Sequence, residues 1–295
     1  MGSAIIDVLL KLDHLPARGE DILCKEQKMS IGGCAYNVAR TMMNLESPHD
    51  LFVPVGVGTY ASMIRADLEK RGYKIFAQED SMDNGYCICL VEKDGERTFL
   101  TIEGAESEWK QEWADDLALT QYSAVYIAGY QLCGEQSRPV VDWLEQLTEQ
   151  TIFFAPGPVI CQLAPDIMKR IFACRPVVHL NEKEAYDFTG GSSIEDCLKA
   201  IHQKTDNVVI VTLGDKGAIY FDGTAFETIA GKSAAVVDTI GAGDSHIGAV
   251  IAGYSQGMSW HDAIQRANMV SACIVETRGA VIEKEEFEEK MKQYR

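Results

Sequence analysis

The chain has 295 residues, of which 46% are hydrophobic and 24% are charged, and its formal net charge is −17. This length and composition are typical of a globular protein with a substantial core, built as one large α/β domain or two smaller ones. The negative charge argues against nucleic acid or an anionic membrane as a partner, because both require a basic surface. It does not exclude ATP, which is bound by local groups such as helix N-termini and single cationic side chains.

Cysteine usage and targeting segments bear on the compartment. The nine cysteines include no Cys-x-x-Cys pair, and no apolar run approaches the length of a membrane span, which is roughly 18 residues. No signal peptide opens the sequence. Free thiols without an export signal predict a cytoplasmic protein.

The first strand of the chain is apolar and carries one acid, Asp7. A buried carboxylate is costly unless it is paired or binds a ligand, so Asp7 either faces water at a strand end or contacts a ligand. Gly32 and Gly33 then precede a helix whose apolar stripe leaves out Asn37. An amide in the first helical turn beside two glycines can hydrogen-bond a sugar, and a solvent-facing side chain is the other interpretation.

A second glycine turn follows. An apolar strand leads into Gly56-x-Gly58-x-x-Ala61 at the start of a helix, and a second strand ends at Glu79. A strand, this turn and an acid about 20 residues later are typical of a dinucleotide-binding βαβ unit. An NAD(P)-dependent oxidoreductase is therefore an alternative function, although Pro54 inside the first strand argues against it.

The next segments predict a hairpin and then a regular α/β pattern. Two alternating runs flank Asp94-Gly95, which is a strong hairpin signal. Arg97 begins the second run, where it either reaches an anionic or hydroxylated substrate or is simply exposed. From about 104 to 230, short apolar strands alternate with helical patterns, which predicts a parallel sheet covered on both faces. No linker interrupts the chain, so we expect a single domain over 1–295.

The last glycine turn carries the strongest chemical signal. The apolar run 234–237 predicts a buried strand, and Gly241-Ala242-Gly243 then opens a helix. Free N–H groups and the dipole at a helix start favour an anion such as phosphate. Asp244 places a carboxylate in this anion site, where it would repel a bound anion. This arrangement makes chemical sense if the carboxylate takes up a proton during a reaction. A helix cap is the other interpretation.

The segment from Asp238 to Asp244 (DTIGAGD), followed by Gly248-Ala249, resembles the signature of the ribokinase-like (phosphofructokinase-B) carbohydrate kinases. The other matches, in the family's order, are Pro-x-x-Gly-Glu at 16–20, Gly-Gly-x-x-x-Asn at 32–37, Asn-x-x-Glu at 181–184 and Thr-Leu-Gly-x-x-Gly at 212–217. The resemblance implies a three-layer α/β fold with a mostly parallel central sheet, helices on both faces, and a small β-sheet lid from about 9–29 and 84–104. In many members the lid is also a dimer surface, so a homodimer through the lid is implied.

The resemblance also implies a role for each matching residue. Asp244 would be the base that takes the proton of the substrate hydroxyl, and the backbone of Gly241, Ala242 and Gly243 would form an anion hole for the moving phosphoryl group. The residues expected to bind the acceptor are Asp7, Gly32, Gly33, Asn37 and, from its place in the hairpin, Arg97. The residues expected to bind ATP are Asn181, Thr212, Gly214, Gly217 and Asn268.

Two kinds of cation are implied. Glu184, together with Asn181, would order Mg²⁺ and the phosphates largely through water, which suits a cation that keeps its hydration shell. Asp238 and the carbonyl of Ile240 would bind a monovalent cation, with K⁺ as an activator.

The sequence therefore predicts an ATP-dependent kinase that transfers the γ-phosphoryl group to a hydroxyl of a small sugar or nucleoside. Gly58 and Ala155 stand where the family has Asp, so substrate contacts at those two turns are not carried over. No Lys/Arg cluster lies near Asp7 or Asn37 in the sequence, which favours a neutral acceptor. The alternatives are the oxidoreductase and a non-catalytic sugar or nucleoside sensor. The intact Asp244 argues against a sensor, because a pure binder needs no base in an anion site.

Overall fold

The computed structural model describes residues 1–94, 96–115, 117, 119–134 and 137–294. Gly95, part of the expected hairpin turn, lies outside the described residues. Within those ranges, no helix is both long enough and apolar enough to cross a membrane.

The described chain forms twelve strands and ten α-helices. The strands are β1 (Ile5–Lys11), β2 (Glu26–Gly32), β3 (Pro54–Val55), β4 (Ala77–Gln78), β5 (Tyr86–Val91), β6 (Arg97–Ile102), β7 (Ala124–Ala128), β8 (Thr151–Ala155), β9 (Val177–Asn181), β10 (Val209–Thr212), β11 (Gly217–Phe221) and β12 (Phe226–Ala230). The helices are α1 (Cys34–Asn44), α2 (Thr59–Lys70), α3 (Gln111–Asp115), α4 (Ser137–Leu144), α5 (Pro165–Ala173), α6 (Glu182–Thr189), α7 (Ile194–Thr205), α8 (Ala242–Ser255), α9 (Trp260–Val275) and α10 (Lys284–Tyr294).

The larger sheet has six strands in the order β12-β11-β10-β9-β8-β7. Strands β7 to β10 are parallel, and β11 and β12 are antiparallel additions at one edge. Successive side chains of a strand point to opposite faces, so Phe153 and Phe154 lie in two separate core clusters, both fully buried. Helices α1, α8 and α9 contribute to one cluster, and α4, α5 and α7 to the other. The prediction of a mostly parallel sheet with helices on both faces is confirmed.

A separate sheet of four strands has the order β2-β1-β5-β6. We call these four strands the small sheet. Strands β1 and β5 pair in parallel, and β5 and β6 form the antiparallel hairpin that the sequence predicted. Asp7 in β1 lies opposite Ser30 on one side and Cys87 on the other. The small sheet therefore brings the first acid of the chain beside the start of α1, where β2 ends.

Two predictions about strands need correction. Residues 234–237 are not a buried strand: they form a loop in which Val236 and Val237 are 64% and 51% exposed. The N–H groups of Val237 and Asp238 both donate to the carbonyl of Val275, at the C-terminal end of α9, instead of to a neighbouring strand. The strands expected around the Gly56 turn are only two residues long each, and they pair with each other in parallel.

Candidate active site

The glycine turn before α8 places free backbone donors at the start of a helix. Gly241 precedes α8 with a φ of 76°, and a Cβ there would lie 2.6 Å from the carbonyl oxygen of Ala280, so only glycine fits. The first N–H groups of a helix have no partner inside the helix. The N–H of Ala242 donates to the carbonyl of Thr239 at 3.3 Å, a long bond that closes the turn. Gly243 is the second residue of α8 and is exposed, and an N–H at this position has no partner inside the helix.

Asp244 lies half-buried in the first turn of α8. Loss of water around the carboxylate raises its pKa to about 6, against hydrogen bonds from Asn37 and Cys34 that lower the pKa. The amide Nδ2 of Asn37 donates to Oδ2 of Asp244 at 2.8 Å. The negative charge of Glu184 also raises the pKa of Asp244, so Glu184 faces the same cleft. A carboxylate with a pKa of about 6 is partly protonated near neutral pH, which suits a group that exchanges protons.

Asp7 lies near Asp244, across the gap between the small sheet and α8. Desolvation, and then the charge of Asp244, raise the pKa of Asp7 to about 6. Gly32, at the end of β2, is needed beside it, because a Cβ there would lie 2.0 Å from Oδ2 of Asp7. Gly33 precedes α1 with a φ of 101°, and a Cβ there would lie 2.6 Å from the carbonyl of Ser3. The two glycines let the backbone turn into α1 close to both carboxylates.

The side chain of Asn37 is buried, with 5% of its surface exposed. While Nδ2 donates to Asp244, the oxygen Oδ1 is buried and has no hydrogen-bond partner among the described residues. A buried acceptor without a partner costs free energy unless a ligand donates to it. Asn37 is therefore a buried residue beside Asp244 and not a solvent-facing one, with its Nδ2 bonded and its Oδ1 unpartnered among the described residues.

Three cleft residues were not found from the sequence. The thiol of Cys34 hydrogen-bonds Asp244, and desolvation raises the pKa of that thiol well above its usual range. Tyr126 in β7 is buried, and Tyr130, just after β7, is 48% exposed. Burial raises the pKa of both phenols, and the charge of Asp244 adds to both shifts, so both rings lie near it. For Tyr130, which lies just after β7, the usable signal was the end of a parallel strand, where ligand-binding residues of α/β sheets collect.

Arg97 does not lie free in the cleft. Its Nη1 donates to Oδ1 of Asp238 at 2.8 Å, and this ion pair joins β6 to the loop before α8. Asp238 is 5% exposed and also accepts from the N–H groups of Ile240 and Gly279, at 2.9 and 3.1 Å. Asp238 is the residue that was expected to bind a monovalent cation. In the structure, the positive charge of Arg97 pairs with its carboxylate instead.

A cavity of about 540 Å³ lies between the β10–β11 turn and the start of α8. This volume is within the range of cofactor sites, roughly 300–1,000 Å³. Val236 from the exposed loop contributes an apolar wall. The cavity brings together four of the five residues expected to bind ATP and two of the expected anion hole: Thr212, Gly214, Gly217, Asn268, Ala242 and Gly243.

A buried chain of polar side chains supports one wall of this cavity. Asn268 donates from Nδ2 to the carbonyls of Ile229 and Ala230, at 3.0 and 3.2 Å, which turns its Oδ1 towards His246. Nε2–H of His246 therefore donates to that oxygen, and its Nδ1 accepts from Nε2–H of His179, at 2.9 Å. Burial lowers the pKa of both imidazoles, that of His246 to about 4, so both are neutral. Both amide hydrogens of Asn268 are already used, so it shapes the cavity instead of offering them to a nucleotide.

Asn181 and Glu184 hold each other at the start of α6. The side chain of Asn181 accepts from the N–H of Glu184, and Oε2 of Glu184 accepts from the N–H of Asn181, which is a capping box. Nδ2 of Asn181 also donates to Oε1 of Glu184 at 2.8 Å. Asn181 is thus a helix cap at the rim of the cleft, and it is absent from the lining of the 540 Å³ cavity.

The Gly56 turn is not built for a dinucleotide. The start of α2, where a pyrophosphate would bind, is filled by the carboxylate of Asp83, which accepts from the N–H groups of Tyr60 and Ala61 at 3.1 and 2.6 Å. A Cβ on Gly58 would lie 2.3 Å from the same carboxylate, so this glycine makes room for Asp83. A phosphate cannot share donors that an internal carboxylate already occupies.

Comparisons with known proteins agree with this geometry. A family model described as pfkB family carbohydrate kinase matches residues 1–286. The chain is 39% identical over 283 residues to the uncharacterized sugar kinase YegV of Escherichia coli K12, covering 95% of this chain and 88% of that protein. It is 25% identical over 276 residues to 1-phosphofructokinase of the same strain, covering 88% of this chain and 84% of that protein.

Solved structures of two kinases share the fold. Ribokinase from Thermotoga maritima superposes with a TM-score of 0.83 at 24% identity, covering 99% of this chain and 97% of that one. Adenosine kinase from Sinorhizobium meliloti gives a TM-score of 0.85 at 18% identity, with the same coverage. The resemblance and the ribokinase-like fold predicted from the sequence are confirmed. The chain belongs to the pfkB family of carbohydrate kinases, phosphotransferases with an alcohol group as acceptor.

Proposed function

We propose that this protein transfers the γ-phosphoryl group of ATP to a hydroxyl of a small neutral sugar or nucleoside, with Asp244 as the base. The observation that carries this proposal is the position of a carboxylate with a pKa of about 6 one residue after Gly243, which lines the 540 Å³ cavity. The acceptor hydroxyl gives its proton to Asp244, its oxygen forms the new bond to the γ-phosphorus, and the bond to the β-phosphate oxygen breaks to release ADP. The Gly241–Gly243 backbone stabilises the charge on the moving group.

The charges around the cleft support a neutral acceptor. Asp7, Asp244 and Glu184 are acids, and the pKa shifts of Asp7 and Asp244 include repulsion from a neighbouring carboxylate. The positive charge of Arg97 is balanced by Asp238. A phosphorylated or carboxylated acceptor would add negative charge beside Asp7 and Asp244, whose carboxylates are already affected by neighbouring negative charge. Hydroxyl groups, in contrast, can donate hydrogen bonds to the carboxylate of Asp7 and to Oδ1 of Asn37, which has no partner among the described residues.

The donor set at the cleft fits Mg²⁺ that is carried mainly by the nucleotide. In the described residues, no group of three or more His, Cys, Asp or Glu side chains can hold a metal ion. Glu184 and Asn181 offer carboxylate and amide oxygens at the rim, which suit contacts through the ion's water shell. Bound there with ATP, Mg²⁺ would neutralise charge on the phosphates. A monovalent cation on Asp238 does not fit, because Arg97 already pairs with that carboxylate.

We also propose that the chain is one domain and that the small sheet is its lid. Excluding water favours transfer to the acceptor, because water competes for the phosphoryl group. The small sheet presents apolar side chains to solvent: Met29 and Ile102 are 38% and 40% exposed, and Phe99 and Leu100 are 53% and 51% exposed. Exposed apolar groups of this kind mark interaction surfaces. They support a homodimer through the lid, which sedimentation of the purified protein would test.

The experiment for the proposed reaction is ADP release from ATP and Mg²⁺ across a panel of neutral sugars, sugar phosphates, sugar acids and nucleosides. We expect turnover with a neutral compound, lost by a factor of about 10³ or more in Asp244→Asn. Asp196→Asn is a matched control, because Asp196 holds the same third position of α7 but is exposed. Turnover by Asp244→Asn near the wild-type rate would refute the role of the base. Absence of ATP binding would refute the proposed reaction itself.

A further inference from the structure

The loop that leads into α8 is held by one nearly buried carboxylate. Asp238 is 5% exposed, and three donors surround its oxygens. Oδ1 accepts from Arg97 and from the N–H of Ile240, and Oδ2 accepts from the N–H of Gly279. Backbone N–H groups carry only partial charge, so the guanidinium is the full positive charge in direct contact with this carboxylate. Removing one partner from such a pair leaves an uncompensated charge, which is strongly unfavourable.

The positive charge comes from a distant part of the chain. Arg97 is the first residue of β6, on the outer strand of the small sheet, and lies 141 positions before Asp238. Its side chain is 23% exposed, and its Nε is buried without a partner among the described residues. Its Nη1 lies 2.8 Å from Oδ1 of Asp238, in direct contact with the carboxylate. Asp238 is therefore neutralised by the protein itself and not from solution.

We propose, on the basis of the kinase function proposed above, that Arg97 is a positioning residue that takes the place of a monovalent cation at Asp238. The guanidinium holds the loop that ends in the anion hole, and it ties this loop to the small sheet. The protein therefore needs no K⁺ for activity. The expectation of K⁺ as an activator, taken from the resemblance, is replaced by a cation built into the chain.

The test compares kcat/KM in KCl with that in choline chloride at equal ionic strength. We expect the wild-type values to agree within about twofold, since no ion-binding step contributes. Arg97→Ala removes the charge and leaves space for an ion, and we expect it to lose about tenfold or more in choline and to recover about fivefold or more in KCl. Arg97→Lys keeps a positive charge and should show a weaker K⁺ response than Arg97→Ala. Lys11→Ala is the matched control, because it removes a charge from an exposed ion pair with Glu26 in the same sheet.

A second readout does not depend on the acceptor or on catalysis. We expect the melting temperature of the wild-type protein to be the same in KCl and in choline chloride, because no specific ion binds the folded state. A K⁺-specific rise in the wild-type melting temperature would overturn the proposal, even if no acceptor were known and the proposed kinase reaction had failed. Wild-type activity that requires K⁺ would overturn it as well. So would folded Arg97→Ala protein whose lost activity KCl does not restore.

Discussion

Replacing Asp244 by asparagine should make the protein more stable at pH 7–8, although it removes the proposed base. In the folded protein, loss of water raises the pKa of this carboxyl from 3.8 to about 6. A folded pKa above the unfolded one means that the folded state favours the protonated form. This contribution to stability is fully present below pH 3.8 and is lost as the pH rises through about 6.

The size of the effect follows from the two pKa values. One pKa unit corresponds to about 1.4 kcal/mol, so the difference between 3.8 and about 6 costs the ionised protein up to about 3 kcal/mol above pH 6. Asparagine has nearly the same shape, is never charged, and can still accept the hydrogen bond from Asn37. The stability gained by Asp244→Asn should therefore be about 1–3 kcal/mol at pH 8 and should shrink towards zero near pH 4.

Urea unfolding at pH 4, 6 and 8 measures this difference directly, because the free energy of unfolding is obtained for both proteins under each condition. The control Asp196→Asn should behave in the opposite way. Hydrogen bonds from Ser192 and Ser193 lower the pKa of Asp196, so its ionised form stabilises the fold. A stability difference between the wild type and Asp244→Asn that does not change with pH would refute the reasoning. So would an asparagine variant that is less stable at pH 8.

Three further predictions concern the cleft. The wild-type kcat/KM should fall about tenfold per pH unit below about pH 6, as Asp244 becomes protonated. Asn37→Ala removes a hydrogen bond that lowers the pKa of Asp244, so this decrease should begin about one pH unit higher. An unchanged pH dependence would contradict this. Gly32→Ala should raise the acceptor KM by about tenfold or more and leave the ATP KM unchanged, since its Cβ would displace Asp7; equal effects on both KM values would contradict this. Asn268→Ala should raise the ATP KM by about tenfold at an unchanged acceptor KM, because the cavity wall loses its two carbonyl contacts.

The sequence was most informative where a local pattern has one physical solution. Alternating strands and helices allow little besides a parallel sheet with both faces covered, and this was confirmed. The Gly241 turn was recognisable because a glycine with positive φ followed by a helix leaves free N–H groups wherever it occurs. The apolar run 234–237 has two solutions, a buried strand or an exposed loop beside a ligand cavity. Only the bonds to Val275, nearly 40 residues further along the chain, decide between them.

The interactions that the sequence could not predict are those between distant residues. The sequence around Arg97 does not show that this side chain forms an ion pair with Asp238. The sequence of the Gly56 turn likewise does not show that the carboxylate of Asp83, more than 20 residues later, occupies the start of α2. Both cases need the tertiary contact to be known. Both contacts also changed the chemical interpretation. The Arg97–Asp238 ion pair argues against a monovalent cation at Asp238, and the carboxylate of Asp83 argues against a dinucleotide at the Gly56 turn. Cys34 was overlooked for the same reason, because only the folded structure shows that its thiol forms a hydrogen bond with Asp244.

The acids of the cleft connect the stability argument with the choice of substrate. Desolvation raises the pKa of Asp7 and Asp244, a neighbouring carboxylate adds to each shift, and the charge of Arg97 is paired with Asp238. Without ligands, these carboxylates repel one another, and this repulsion contributes to the cost that Asp244→Asn removes. A nucleotide that brings Mg²⁺ adds positive charge to the cleft, whereas a neutral acceptor adds hydroxyl donors and no charge. A negatively charged acceptor would increase the repulsion, so the same residues that lower the stability of the free protein favour a neutral acceptor over a charged one.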